Sequence, residues 1–229
     1  MTGLLVSVRN GQEARLALAG GANLIDVKEP SRGALGAAAP AAWEEVLDAV
    51  AGAVPASVAL GEVSASRDSA PAEPLARFQY AKWGLAHCQR RADWLARWAE
   101  RLSGLPPGVT PVAVVYADWS HAESPLPERI IEAAAGLGCG AVLFDTFGKQ
   151  HGGLLDHLSV MQLDQLANIA RRDELQVVFG GGLNPATIPR VLPLQPDYVA
   201  VRGAVCRRAR TGELDAALVR QLRAVVRQV

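Results

Sequence analysis

Lysine is nearly missing from this chain. Of its 23 basic residues only three, Lys28, Lys82 and Lys149, are lysines, and the other 20 are arginines. Cysteine is scarce and odd in number. Cys88, Cys139 and Cys206 lie far apart, which excludes a disulfide framework and a Cys-x-x-Cys metal site and leaves buried or partly buried free thiols in a reducing cytoplasm. Neither sign of charge is in excess, since 23 acidic residues bring the formal net charge to zero. Nucleic acid and anionic membrane surfaces select a basic face, so neither is expected as a partner. No apolar run approaches the ~20 residues of a membrane span. Met1-Thr2-Gly3 leads straight into an apolar run, with no basic stretch and no small-residue cleavage site. No signal peptide is therefore expected, and the cytoplasm is the expected compartment. His87, His121, His151 and His157 lack metal-ligand spacing, so no metal is expected.

What the chain does have is material for a core. Half of its 229 residues are hydrophobic and a fifth are charged, which suits one large α/β barrel or two small domains. Short apolar runs at 4–8, 24–27, 57–60, 78–81, 112–117, 141–144, 177–179 and 198–201 alternate with amphipathic segments. The runs are rich in Val, Leu and Ile and mostly lack period-two alternation, as parallel strands buried on both faces do. Helical patterns fall at 12–19, 40–50, 90–102, 127–135, 157–171, 185–191 and 213–227. Trp94, Leu95 and Trp98 are expected as one core-facing stripe, and Leu214, Leu218, Leu222 and Val225 as another. The connection at 64–77, rich in Ser, Ala and Pro, has room for a short helix at most. Alternation repeated about eight times predicts parallel βαβ units closed into a (β/α)8 TIM barrel, a single catalytic domain over residues 1–229. An open doubly wound sheet would open its first helix with Gly-x-Gly-x-x-Gly, which is absent.

Against a background of arginine, each lysine marks a place where arginine did not serve. Arginine neither deprotonates usefully nor forms a Schiff base; lysine does both. Asp26 and Lys28 close the second apolar run two residues apart, so strand alternation puts them on one side. Lys82 follows the fourth run. Asp145 ends the sixth, and Lys149 lies four residues on, before the loop Gln150-His151-Gly152-Gly153. Amines gathered at one barrel mouth disfavour one another's protonation, and a neutral amine attacks an aldehyde while a neighbouring carboxylate moves protons. After the seventh run comes Gly180-Gly181-Gly182-Leu183-Asn184, and after the eighth Val201-Arg202-Gly203-Ala204. In a barrel these two loops are the usual phosphate site, so Gly181, Gly182 and Gly203 are the expected cradle with Arg202 as helper. Asp118-Trp119 is expected at the mouth, and Arg9-Asn10-Gly11 reads equally as an anion ligand or as a turn.

Several of these elements together resemble a known family. Asp26-Val27-Lys28-Glu29-Pro30 with Gly33-Ala34-Leu35-Gly36-Ala37, Lys82-Trp83-Gly84-Leu85, Ala117-Asp118-Trp119, Phe144-Asp145-Thr146-Phe147-x-Lys149 and Val201-Arg202-Gly203-Ala204 are similar to the (5-formylfuran-3-yl)methyl phosphate synthases of methanofuran biosynthesis. The chain departs from that pattern at Gly148 and at Gly180-Gly181-Gly182. The resemblance implies a barrel that condenses two glyceraldehyde 3-phosphates into a phosphorylated furan, losing phosphate and water. It implies Lys28 as Schiff-base lysine, with Asp26, Lys82, Asp145 and Lys149 as its partners. Such a route needs an enamine, an acid–base pair and a phosphate clamp, and no redox cofactor. The expected partner is a small phosphorylated aldehyde; homo-oligomer formation is left open. The rivals are another lysine-dependent phosphate-sugar aldolase or isomerase, and a non-catalytic barrel that binds a phosphometabolite.

Overall fold

The computed structural model describes residues 1–65, 71–148 and 150–227. Eight strands, β1 (Gly3–Val8), β2 (Leu24–Val27), β3 (Ala56–Glu62), β4 (Tyr80–Gly84), β5 (Thr110–Tyr116), β6 (Ala141–Asp145), β7 (Gln176–Phe179) and β8 (Tyr198–Val201), run parallel in chain order. β8 pairs with β1, so the sheet closes into a (β/α)8 barrel. Around it lie α1 (Gly11–Ala19), α2 (Pro40–Val50), α3 (Ala72–Leu75), α4 (Trp94–Ser103), α5 (Pro127–Gly136), α6 (Leu154–His157), α7 (Val160–Arg172), α8 (Ile188–Val191) and α9 (Ala216–Arg227). Among the described residues no helix is long and apolar enough to cross a membrane.

Strand alternation divides the core into two layers. Leu4, Val6, Val8, Ile25, Val27 and Val58 face outward and pack with the buried helix faces in one cluster. Leu5, Leu24, Ala59, Val112, Val114 and Leu143 face inward and fill the barrel axis. Because the strands twist and tilt, each inward position stacks in a layer, and on β1, β2 and β6 the polar inward residues Ser7, Asp26 and Asp145 follow the apolar Leu5, Leu24 and Leu143 toward the strand C-terminal ends. The site therefore stands on an apolar floor. Local signals fix the helices around it. Asn10 caps α1 by accepting from the Glu13 N–H at 3.0 Å, and Ser159 with Gln162 forms a capping box on α7.

Several expected boundaries move. The fourth strand begins at Tyr80 rather than 78 and runs through Lys82, because that amine is neutralised inside the barrel. The expected helix at 90–102 starts at Trp94. Its buried stripe is Trp94, Trp98 and Leu102 at i, i+4, i+8, and Leu95, about 100° round the axis, is exposed. The pattern at 157–171 is two helices, α6 and α7, broken at Leu158, whose backbone is extended. The helix at 185–191 shortens to α8, and the last helix starts at Ala216. On that helix the face is centred on Val219, Leu222 and Val226, with Leu218 and Val225 at its margin. The 64–77 connection contains the four-residue α3; residues 66–70 lie outside the described residues. All three cysteines are free and buried, and burial pushes the Cys139 thiol up to about 12 and Cys88 to about 11, far from nucleophilic at neutral pH.

Candidate active site

One cavity of about 350 Å³ opens at the C-terminal ends of the strands. Asp26, Lys28, Lys82, Asp145, Gly181, Gly182, Arg202 and Gly203 all line it. Lys149 lies outside the described residues, and Arg9 is not part of the lining.

The deepest part is a buried ionic pair. Strand register sets Asp26 between Ser7 on β1 and Ser57 on β3. Both hydroxyls donate to its carboxylate, at 3.0 and 2.9 Å. The Lys82 ammonium donates to the same carboxylate and, at 2.8 Å, to Ser57 Oγ. Asp26 and Lys82 are 2% and 3% exposed, which is tolerable only because each charge meets the other and the remaining lone pairs are satisfied. Above them, Lys28 Nζ stands 3.9 Å from Asp145 Oδ2. The pairing thus crosses strands. Asp26 serves Lys82 rather than its sequence neighbour Lys28, which leaves β2 and meets β6 instead.

The binding side is made of backbone. Gly181 and Gly182 have φ of +70° and +75°, a left-handed conformation that suits glycine. The N–H groups of Gly181, Gly182, Leu183, Gly203 and Ala204 donate to no acceptor among the described residues, although all five residues line the cavity. Backbone donors turned to a cavity without internal partners call for an anion or water. Gly153 from the β6 loop closes over the cradle, and the next N–H, of Leu154, donates to Gly181 O at 2.6 Å.

The structure gives the two arginines expected at this clamp another task. Arg202 is buried, and its guanidinium donates to the Glu13 carboxylate and to the carbonyls of Ser7, Arg210 and Gly212. Its five N–H bonds are thereby spent. Arg9 also grips Glu13 and donates to the carbonyls of Thr211 and Gly212. Burial pushes the Glu13 carboxyl up, but hydrogen bonds from Arg202 and Arg9 outweigh it and hold the group below its ordinary value. Together the three side chains fasten the loop after β8.

A second carboxylate, Glu62 at the end of β3, was not visible as a site residue in the sequence. Tyr116 Oη donates to its Oε1 at 2.5 Å and the Ala86 N–H to its Oε2 at 2.9 Å. Burial pushes Glu62 above the ordinary carboxyl value, and neither hydrogen bond brings it back. Tyr116 is pushed well up by burial and then by Glu62 itself. One sequence feature does point there. A Cβ on Gly84, the last residue of β4, would come within 2.1 Å of Glu62 Oε2 and 2.2 Å of Tyr116 Oη, so the glycine makes room for both. Asp118, expected at the mouth, accepts instead from the N–H groups of Phe147 and Gly148 at 2.8 and 2.7 Å and so holds the β6 loop. His121 and His151 meet through their Nε2 atoms at 2.8 Å across the same loop.

Known proteins share both the architecture and the sequence. Thiamine phosphate pyrophosphorylase from Pyrococcus furiosus superposes with a TM-score of 0.64 at 15% identity, covering 98% of this chain and 95% of that one. Phosphoribosyl anthranilate isomerase from Thermotoga maritima gives 0.63 at 15% identity with full coverage of both. At such identity the likeness is of fold. In sequence, (5-formylfuran-3-yl)methyl phosphate synthase of Methanopyrus kandleri is 33% identical over 230 residues, 96% of each chain. That of Methanosarcina acetivorans is 30% identical over 226 residues, 96% of this chain and 97% of its own. The family model described as 4-HFC-P synthase matches residues 4–223. Aligned from the first strand to the last helix, the chain belongs to the 4-HFC-P synthase family and is an enzyme.

Proposed function

We propose that this enzyme condenses two molecules of glyceraldehyde 3-phosphate into (5-formylfuran-3-yl)methyl phosphate, through an imine on Lys28. The observation that carries the reading is the content of one cavity: Lys28 against Asp145, Lys82 against Asp26, and five backbone N–H groups without acceptors among the described residues. Two C3 aldehyde phosphates, minus one phosphoric acid and two waters, have the composition of the furan monophosphate.

The connectivity of that product orders the steps. The Lys28 amine adds to the aldehyde carbon of the first substrate and water leaves, giving an imine. The imine acidifies the adjacent carbon; a carboxylate takes that proton and an enamine forms. The enamine pushes the phosphate off the third carbon, whose C–O electron pair departs with the phosphate oxygen. That carbon is left as the end of an unsaturated iminium, open to a nucleophile. The second aldehyde loses the proton at its own second carbon, and that carbon forms the new bond. Water hydrolyses the imine and frees Lys28. The hydroxyl on the released chain closes onto the remaining aldehyde, and loss of two waters makes the ring aromatic. Asp145 beside Lys28 is placed for the first proton. The Lys82–Asp26 pair, held by Ser7 and Ser57, keeps a fixed charge pattern under the reacting carbons.

Incubation with glyceraldehyde 3-phosphate tests the reading. The expected result is a conjugated furaldehyde absorbance in the ultraviolet, with one phosphate released per furan. Reversible cleavage or isomerisation without absorbance counts for an aldolase or isomerase instead.

A further inference from the structure

A route from two phosphorylated aldehydes to a monophosphate handles two phosphates, one that is expelled and one that is kept, and the glycine cradle is one site. Among the described residues lining the cavity, four carry cationic side chains: Lys28, Lys82, Arg202 and Arg210. Lys28 faces Asp145, Lys82 is locked to Asp26 and Ser57, and Arg202 has spent its donors on Glu13 and three carbonyls. Arg210 is different. Its guanidinium makes one hydrogen bond among the described residues, from Nη2 to Gly33 O at 3.1 Å. That bond reaches from the loop after β8 to the loop after β2, so the side chain bridges the mouth.

The backbone that carries Arg210 is held from below. Arg202 Nε takes the carbonyl of Arg210 at 2.9 Å, Arg9 takes that of Thr211 at 2.8 Å, and both reach that of Gly212. Three successive carbonyls are thus captured by two arginines that share one carboxylate, Glu13. The result is a fixed loop with one half-buried cation projecting from it beside the cradle. A Cβ on Gly203 would sit 3.6 Å from Arg210 Cβ. Burial, with Arg202 nearby, holds the Arg210 guanidinium below its ordinary value, while Asp145 and Glu29 favour its charge. A dianion arriving at the mouth adds to that favourable field, and a guanidinium with unspent donors in a planar fork is the side chain suited to it.

Resting on the two-phosphate reaction proposed above, we infer that Arg210 is a binding residue for the second phosphate, with Arg9, Arg202 and Glu13 as the residues that position it. Inorganic phosphate is the probe that separates this from the reaction itself. Titration of the wild-type enzyme, followed by calorimetry or ³¹P NMR, is expected to give two sites per chain. Arg210→Gln is expected to give one, with the KM for glyceraldehyde 3-phosphate raised by about 10-fold or more. Arg210→Lys, which keeps the charge and most of the stem, is expected to retain both sites with weaker affinity, and it decides the matter if Arg210→Gln folds poorly. One site in the wild type, or two undiminished sites in Arg210→Gln, overturns the assignment. Failure of the wild type to make furan while the phosphate counts behave as stated counts against the reaction and not against the site.

Discussion

The two sides of the barrel mouth are built from opposite materials. On the side of β2, β4 and β6 the charges are side chains, buried in pairs of opposite sign: Asp26 with Lys82, and Lys28 with Asp145. On the side of β7 and β8 the cavity is lined by residues whose backbone N–H groups have no acceptor among the described residues and by Arg210, while Arg202 is spent on holding a loop. Two carboxylates show the same contrast. Glu13, gripped by two guanidiniums, is held below its ordinary value, whereas Glu62, whose partner is a neutral tyrosine, is raised. Chemistry needs groups that change protonation, so it uses lysine and carboxylate. Binding a dianion without competing for protons is better left to amides, which do not titrate.

This contrast can be broken in graded steps. The largest effect is expected at Lys28. Lys28→Arg keeps the charge opposite Asp145 but cannot form the imine, so turnover should fall by at least about 10³-fold. Phosphate titration of the same variant should remain near wild type, because the cradle is backbone. A parallel loss of both would mean the two sides are not separable.

Next comes Glu13→Gln. It leaves Arg202, 5% exposed at its side chain, without its counter-charge, and breaking such a buried pair costs roughly 3–5 kcal/mol. Denaturant midpoints at neutral pH measure it. The pH dependence follows from the direction of the shift. Because the folded value of Glu13 lies below its ordinary 4.5, its contribution is present above that value and is lost as pH falls through the depressed one. The gap between wild type and Glu13→Gln should therefore narrow in acid.

Gly203→Val is expected to act on binding. Its side chain would enter the cavity wall beside Arg210, and KM should rise about 10-fold with little change in stability, the loss of one or two charge-assisted hydrogen bonds. An unchanged KM would place the phosphate elsewhere.

The smallest effect is expected from Glu62→Gln. The amide can still accept from the Ala86 N–H while donating to Tyr116 Oη. Since the folded value of Glu62 lies above 4.5, its contribution is fully present below the ordinary value and is lost as pH rises through the raised one. Melting temperatures at pH 4 and pH 8 should show the variant gaining on the wild type at the higher pH. A gain at the lower pH instead would reverse the sign assigned to Glu62.

Much of this was legible because apolar runs and turn chemistry are local. All eight runs mark strands, and the glycines after β7 and β8 stand where N–H groups lack an acceptor among the described residues. What was not legible depends on partners far apart in the chain. Asp26 and Lys28 are neighbours on one strand, yet they serve Lys82 and Asp145, since barrel stagger decides which layer each side chain enters. The expected fourth run stops at 81, short of the end of β4 at Gly84, for a related reason, because a paired lysine inside a barrel interrupts the apolar run that marks a strand. Arg202 reads as an anion ligand until Glu13, 189 positions earlier, is seen to capture it. Arg210 sits in an arginine-rich loop where sequence gives no reason to prefer one residue over its neighbours. Lys149, expected with the other lysines, lies outside the described residues.

The central claim is that Lys28 becomes covalently attached to substrate, and borohydride trapping tests it most directly. Wild-type enzyme is mixed with glyceraldehyde 3-phosphate, reduced, digested and mapped by peptide mass. The expected result is one stable adduct, on the peptide carrying Lys28, and none in Lys28→Arg. An adduct confined to Lys82 or Lys149, or no adduct with an active Lys28→Arg enzyme, would contradict it.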